Sequence, residues 1–389
     1  SEAGKKLLVT GKGRCNLTNT APLRQFIRYY GPNGRFLRNA FHRFFRPELI
    51  DLLARYGVET KEERGGRVFP TSDDATDVRN ALLRYAEGRG AEVRYRAEVN
   101  RLLTEDGRVS GVLLWDSRTL SADAVIVATG GASWQETGST GEGYAMVKAL
   151  GHTIVPLRPA LVPLTVEERS IAEALQGVSL RHAGCTFYQK TPEGERPLRI
   201  PYPMPEVGEM LFTHFGVSGP LILTASTFVV EALREGQTIE LSIDLEPTMT
   251  HDEVRKLLQR EFEQHSRGKL RTRLKRLMPS KLATVIAELS GIDADGALSR
   301  IHAEERDRLV RLIKDFRWTI SGSLQLALGM VTAGGVSLQE VDPVSFESHV
   351  VENLHIVGEL LDLAADTGGF NLQAAFSTGY LAGERAAGA

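Results

Sequence analysis

Cysteine is nearly absent: Cys15 and Cys185 are the only two among 389 residues. Two thiols make neither a disulfide framework nor a four-thiolate zinc site, and they suit a reducing, cytoplasmic setting. Histidine spacings such as H-x-x-x-H are missing, so no metal is expected. No apolar run approaches the ~20 residues of a membrane-spanning helix. The formal net charge is only −2, which argues against a chain that coats nucleic acid or membrane as a whole and leaves room for a local basic patch. With 42% hydrophobic and 25% charged residues, disorder is excluded for most of the length, and the size suits two or three compact units. The opening residues include no initiator Met and are not expected to be a signal peptide. It opens at Ser1 and passes at once into Leu7-Leu8-Val9, as if entered part-way.

Glycine is what the chain has in surplus, with 38 residues, about 10% against a usual ~7%. The first apolar run ends in a glycine turn, Thr10–Asn16. Periodic Phe41, Phe44, Phe45, Leu49, Leu52 and Leu53 predict helix over 35–57, and Val78, Leu82, Leu83 and Tyr85 a second over 74–88, capped by Asp73 or Asp74. Strands are predicted at 92–99, 108–115 and 124–129, with Asp106-Gly107 as a hairpin turn. Val125–Ala128 reads as a strand buried on both faces.

Residues 156–248 change character. Prolines crowd the segment (Pro156, Pro159, Pro163, Pro201, Pro203, Pro205 and Pro220 among them), and short strands are predicted at 181–189, 210–214 and 238–243. Residues 250–316 are charged and helical by pattern. A strand at 354–357, a glycine turn and a helix over 371–385 return to the opening style. Strand, glycine turn and helix at both ends predict a discontinuous α/β domain with the middle as an insertion. Ligands of such sheets bind beyond the carboxyl ends of the strands, where these glycine turns lie.

Three segments carry the chemistry: TGKGRCNLTN (10–19), ATGGASWQETGSTGEG (128–143) and GELLDLAADTGGFNLQ (358–373). Glycine lets backbone N–H groups approach a ligand, and a helix start adds unpaired N–H groups and partial positive charge. In the third segment Gly368-Gly369 precede the last helix and Asn371 lies in its first turn, an arrangement suited to a flavin carbonyl and N1. Each segment taken alone also reads as a tight turn. The dinucleotide fingerprint G-x-G-x-x-G fails at Gly11 and at Gly141, and the Walker pattern is missing. Residue reading therefore ends at a nucleotide or flavin site.

With these segments in view, the chain resembles the YhiN/BaiN-like (HI0933-like) family of FAD-dependent flavoproteins, also called aminoacetone oxidase-like. The resemblance rests on KKLLVTGKGRCNLTN (5–19), VATGGASWQETGSTGEGYAMVKALGH (127–152), LFTHFGVSGPLIL (211–223), GMVTAGGV (329–336) and VGELLDLAADTGGFNLQAAFSTGYLAG (357–383), in family order. It implies an α/β fold: a discontinuous glutathione-reductase-type FAD-binding domain interrupted by a β-barrel-like part and a helical part. The corresponding boundaries are 1–155 and 319–389 for the FAD domain, 156–248 for the β-rich part and 249–318 for the helical part. The family's usual first strand, glycine fingerprint and ribose-binding acid are missing here, so a start inside the family pattern is expected. Carried over by motif, Gly11, Gly13, Arg14, Cys15 and Asn16 match the loop beside the isoalloxazine. Thr129, Gly130 and Gly131 match the cofactor-side strand end. Gly358, Glu359, Asp366, Gly368, Gly369, Phe370, Asn371 and Gln373 match the C-terminal flavin motif.

Flavin performs the redox step in such enzymes, and protein groups orient substrate and move protons. Arg14, Asn16 and His214 are the candidate catalytic residues. Arg14 suits a substrate carboxylate or carbonyl, or equally a surface or phosphate contact. His214 suits a general acid, or equally a structural histidine bonded to a loop carbonyl. Cys15 reads first as a small packed loop residue and second as a redox partner. Arg267, Lys269, Arg271, Arg273, Lys275, Arg276 and Lys281 make a basic stretch over 267–281 with an apolar face of Leu270, Leu274 and Leu277. It reads first as a solvated amphipathic helix and second as an RNA contact.

The leading expectation is an FAD-dependent oxidoreductase acting on a small molecule, reducing an activated C=C bond with NAD(P)H as donor or oxidising an amine with dioxygen. The alternatives are a dihydrouridine-type RNA reductase, since the resemblance extends to flavoproteins linked to RNA modification, and a non-catalytic flavin-binding protein or remnant. The sequence carries no signal for an oligomer.

Overall fold

A computed structural model describes residues 2–201 and 204–388; Ser1 and Pro203 lie outside the described residues. Residues 1–160 and 325–389 form one compact unit, and residues 161–324 form a second.

The first unit opens with a helical turn, Lys5–Val9, where the apolar run predicted a strand. Gly4 starts the turn in the left-handed region, the Leu8 N–H reaches the Gly4 carbonyl at 3.2 Å, and Leu7 and Leu8 pack on a small core of Cys15, Leu17, Leu49, Leu53 and Val78. Strands β1 (Thr18–Asn19), β2 (Thr60–Glu63) and β3 (Arg67–Pro70) form a sheet in the order β1-β3-β2. The helix predicted over 35–57 is broken into Arg38–Arg43 and Arg46–Arg55. Pro47 cannot donate within a continuous helix but fits a first turn, and the Glu48 carboxylate accepts the Phe45 N–H at 2.9 Å to close the new start. The helix Ala75–Glu87 is capped by Asp74, whose Oδ1 accepts the Thr76 N–H at 2.8 Å.

Strands β4 (Val99–Glu105), β5 (Arg108–Leu114) and β6 (Thr119–Ser121) form an antiparallel meander. Asp106-Gly107 does turn the hairpin, but the first strand lies seven residues nearer the turn than the predicted 92–99; residues 92–96 are exposed turns and coil. Pairing runs outward from the turn, Glu105 against Arg108 first, so the turn sets where the strand lies. Strand β7 (Val125–Val127) follows, then β8 (Ile154–Ala160). β7 is not buried on both faces: Ile126 is 37% exposed.

The second unit contains β9 (Leu164–Val166), β10 (Ser179–Thr191), β11 (Gly194–Pro197), β12 (Gly208–Thr213), β13 (Gly216–Ser218), β14 (Ile239–Asp244) and β15 (Phe316–Ser323). The order β10-β12-β13-β9-β15-β14 closes through a β10–β14 pairing, which makes an antiparallel barrel with β11 as an appended strand. Alternation sends Ile239, Leu241 and Ile243 of β14 and Phe316, Trp318 and Ile320 of β15 into the core, each 3% exposed or less. Each such side chain contributes about 1.5–3 kcal/mol on burial. The apolar helix Pro220–Arg234 packs on β12, β13 and β15. Helices His251–Gln264, Leu270–Leu277, Ser280–Leu289 and Ala303–Lys314 complete this unit.

Back in the first unit, β16 (Val331–Val336) pairs with β8, and β17 (Leu354–Ile356) runs parallel to β7, Leu354 opposite Val125 and Ile356 opposite Val127. The closing helix spans Phe370–Ala386. Among the described residues, no helix is long and apolar enough to cross a membrane.

A buried histidine ties the 340–351 segment to the start of β8. The Ser348 hydroxyl oxygen accepts N–H groups from Val350 and Val351, so its proton goes to His152 Nε2 at 2.8 Å. The ring then donates Nδ1–H to Glu340 at 3.1 Å. Burial lowers the His152 pKa, and the Glu340 contact opposes that only in part. The unfolded chain therefore binds this proton first. Stability is full above the ordinary histidine value of about 6.5 and declines as pH falls below it. We expect the wild-type melting temperature to fall from about pH 6.5 downwards, and His152→Gln to flatten that segment of the profile. An unchanged slope in the variant would refute the assignment.

Candidate cofactor and active site

The loop after the first helical turn is wound tightly: Gly11, Lys12, Gly13 and Cys15 all have positive φ. The Cys15 N–H returns to the Thr10 carbonyl at 3.0 Å. Its thiol is fully buried, and burial pushes its pKa up to about 12. A buried neutral thiol is a packing group, not a redox partner. Arg14 is engaged elsewhere than on a substrate. It donates to Glu63 at 2.8 Å and Asp73 at 3.4 Å, and lies 4.1 Å over the Phe69 ring. Asn16 points the other way: its amide oxygen accepts the Gly369 N–H at 3.1 Å and its nitrogen donates to the Thr18 carbonyl at 3.2 Å. Asn19 adds a bond to the Gly368 carbonyl at 3.1 Å. The first glycine loop is thereby fastened to the third.

The second loop leaves β7 at Thr129-Gly130-Gly131. A Cβ on Gly131 would sit 2.3 Å from Thr332 Oγ1 and 2.9 Å from the Glu359 carboxyl carbon, so only glycine lets these segments close. Glu359 is the hub. Its Oε2 accepts from Lys6 at 2.7 Å, and its Oε1 accepts the Thr332 N–H at 2.9 Å and the Ser133 hydroxyl at 3.3 Å. Lys6 also donates to Ser133 Oγ at 3.1 Å, and Tyr144 donates to the Glu359 carbonyl at 3.0 Å. Burial, then the Glu359 charge, raises the Tyr144 pKa and keeps it a neutral donor. Lys6, Ser133, Tyr144 and Thr332 are the members that motif reading passed over. Each lies inside a quoted motif, but nothing in the spacing says that they meet at one glutamate, Lys6, Ser133 and Thr332 at its carboxylate and Tyr144 at its carbonyl.

The third loop leads into the closing helix. Gly369 is its N-cap with φ 97, and offers no side chain to the first-turn N–H groups. Asn371 staples the loop, donating to the Ala365 and Asp366 carbonyls at 3.0 and 3.2 Å and accepting the Ala365 N–H at 2.9 Å. Asp366 Oδ1 accepts the Thr367 N–H at 2.6 Å. Phe370 turns into the aromatic core against Phe26 and Tyr29. Gln373 is wholly buried and donates to Ser377 at 3.0 Å. Gly358 opens the segment, its N–H held by Thr378 Oγ1 at 3.0 Å.

These residues fit the ring end of a flavin. A helix start uncapped by its own N-cap residue presents donors and partial positive charge to an electron-rich edge. Thr18 and Gln373, both in contact with Gly369, each bury an oxygen that has no partner among the described residues, Thr18 Oγ1 and Gln373 Oε1. Among the described residues no group of three His, Cys, Asp or Glu side chains is placed to hold a metal ion.

The other two sequence candidates belong to the second unit. His214 is exposed in the turn between β12 and β13, stacks edgewise on Phe215, and has no hydrogen-bond partner among the described residues. Of the basic stretch, Arg271, Arg273, Lys275 and Arg276 lie in the helix Leu270–Leu277, whose Leu270 and Leu274 are buried, and Lys281 lies in the next helix; much of the charge is answered. Arg273 is buried against Glu261 at 3.2 Å, Lys269 and Arg271 share Asp295, and Lys281 donates to the Gln176 carbonyl at 2.7 Å. Arg267, Lys275 and Arg276 are left without partners among the described residues.

A family model described as the HI0933-like protein Rossmann domain matches residues 1–385. A curated relative, the 3-dehydro-bile acid delta(4,6)-reductase of Clostridium scindens, is 34% identical over 384 residues, covering 99% of this chain and 90% of its own. The ribosomal RNA dihydrouridine synthase of Haemophilus influenzae is 30% identical, covering 97% and 88%. Among solved structures, a quinol-fumarate reductase subunit aligns with TM-score 0.47 and 15% identity; the alignment covers 99% of this chain and 65% of that subunit, less than two thirds of its length.

Proposed function

Because this chain belongs to the HI0933-like family and is an FAD-dependent oxidoreductase, we propose that it reduces a C=C bond conjugated to a carbonyl in an uncharged or weakly charged small molecule. FAD, when bound, would supply the hydride for the β-carbon, NAD(P)H is the class of donor that would replenish it, and a proton would complete the reduction at the α-carbon. The chain's own part is to hold and bias the cofactor. The FAD-binding domain is the pairing of 1–155 with 319–389. Gly368, Gly369 and the first turn of the closing helix would hold the electron-rich edge of the ring, where the positive end of the helix dipole would favour added negative charge. Asn16 locks Gly369 in place, and Glu359, gripped by Lys6, Ser133 and Thr332, braces the strand ends. Arg14 acts as a positioning residue: with Glu63, Asp73 and Phe69 it fixes the loop that carries Asn16. His214 has no role in this reading. Free thiols agree with a reducing, cytoplasmic setting.

The observation that supports a small substrate over nucleic acid is the neutralised basic stretch. A phosphate-tracking face needs unpaired cations, and four of the seven here already serve acids or a carbonyl. The Clostridium relative is named for reduction of a 3-dehydro-bile acid. The test is anaerobic assay of the FAD-loaded protein with NADPH, using a steroidal enone in one arm and an rRNA transcript in the other. Enone reduction is expected, and it should survive Arg267→Glu/Lys275→Glu/Arg276→Glu. Dihydrouridine formation without enone turnover would overturn the reading in favour of RNA, the activity named for the Haemophilus relative.

A further inference from the structure

Trp134 is the most unusual residue beside the Glu359 hub. Its backbone is left-handed, φ 55 and ψ 54, a region that bulky side chains avoid. Two sets of bonds impose the conformation. The Trp134 N–H donates to the Ala327 carbonyl at 3.2 Å, and its carbonyl accepts the N–H and hydroxyl of Thr137 at 2.9 and 2.7 Å. The strain does not place the indole in the core: Trp134 is 42% exposed. Folding thus bears two costs at one residue, a disfavoured backbone and a partly exposed aromatic. Such outliers concentrate where a ligand is gripped.

The segment bonded to Trp134 repeats the pattern. Leu328 is 60% exposed and Met330 45% exposed, on either side of Gly329. The two segments, 132–138 and 325–331, contain a single ionisable side chain, Glu136. An exposed indole, isobutyl and thioether on two segments that carry no cationic side chain of their own suit an apolar body better than a phosphate. The patch is continuous with the cofactor cradle. Ser133, adjacent to Trp134, bonds Glu359, and Ala132 donates its N–H to Thr332 Oγ1 at 2.8 Å. Thr332, two residues beyond Met330, donates its own N–H to Glu359.

We propose that Trp134, Leu328 and Met330 form a platform that seats the apolar ring body of the substrate and makes the enzyme prefer multi-ring enones to small ones. The proposal rests on the reading of the site as an enone reductase. Trp134 supplies a rigid flat face, and Met330 an adaptable one. The bond from the Trp134 N–H to the Ala327 carbonyl brings the two exposed segments together.

The test uses FAD-loaded full-length protein, androst-4-ene-3,17-dione as the multi-ring probe and 2-cyclohexenone as the small one. Equilibrium dialysis against the oxidised protein measures binding of the steroid, and anaerobic assay with NADPH measures kcat/KM for both. Trp134→Gly removes the indole while accepting the left-handed backbone, and Leu328→Ser/Met330→Ser removes the other half without touching that backbone. Each variant is expected to weaken steroid binding about tenfold or more, to lower the steroid-to-cyclohexenone ratio of kcat/KM by a similar factor through KM, and to keep the wild-type flavin spectrum. Wild-type steroid affinity in both variants, or equal losses for both substrates, would overturn the platform, as would a wild type that does not bind the steroid. Steroid binding that depends on Trp134 with no reduction of either enone would leave the platform standing and remove the reductase reading.

Discussion

Gly369→Ala is expected to release FAD and to lower the unfolding free energy by about 3 kcal/mol or more. Two effects combine. Gly369 has φ 97, which an L side chain adopts only under strain. A Cβ there would also lie 2.4 Å from the Thr18 carbonyl oxygen and 2.5 Å from its carbon. Those atoms are backbone, and they belong to the loop that Asn16 fastens to Gly369, so relief would require breaking that fastening. The cradle would open at the point assigned to the flavin ring. Ten residues along the same helix, Gly379 has no heavy atom within 4 Å of its ideal Cβ. Gly379→Ala should therefore stabilise the protein by up to about 1 kcal/mol through helix propensity alone. The pair is a controlled comparison: one helix, one added methyl, opposite signs. Urea unfolding of both variants and visible absorbance after desalting read the outcome. Full flavin content and an unshifted midpoint in Gly369→Ala would refute the cradle.

Gly369 also shows what the sequence makes legible. A glycine pair before a periodic apolar run predicts a helix start with backbone donors exposed, and the closing helix begins at Phe370, one residue before the predicted 371. The alternating Ile239, Leu241 and Ile243 likewise read as a strand because one buried face has period two. Legibility fails where a partner distant in sequence decides. Arg14 looks like a substrate anchor until Glu63 and Asp73, about fifty residues on, are seen to hold it. Lys6 and Glu359 stand 353 positions apart, and no spacing rule connects them. Pro47 was visible, yet the aromatic periodicity of 41–53 ran across it. A proline in a first turn and a proline that breaks a helix look alike until the Glu48 cap is found. The strand lies at 99–105 and not at 92–99 because its pairing with β5 runs outward from the Asp106-Gly107 turn, which sets its register.

The basic stretch gives the other large effect. Glu261→Ala is expected to destabilise the second unit by about 2–3 kcal/mol, because it strands a buried guanidinium. The Arg273 side chain is only 8% exposed, its Nε lies 3.2 Å from Glu261, and one terminal nitrogen already lacks a partner. The estimate sits below the range for fully buried pairs because the Glu261 side chain keeps 23% exposure. Removing the charge together with its partner reverses the effect: Glu261→Ala/Arg273→Met should recover most of the loss, since methionine fills similar volume without a charge to desolvate. Arg273→Met alone should cost less than Glu261→Ala, as Glu261 can turn to water. If Arg273 instead contacted RNA phosphate, Arg273→Met would weaken RNA affinity and reduce its salt dependence by about one unit. We expect urea midpoints in the order Glu261→Ala lowest, the double variant intermediate to high, and no change in RNA affinity. A double variant as unstable as Glu261→Ala would show that the pair does not act as a unit and would return Arg273 to the pool of free cations.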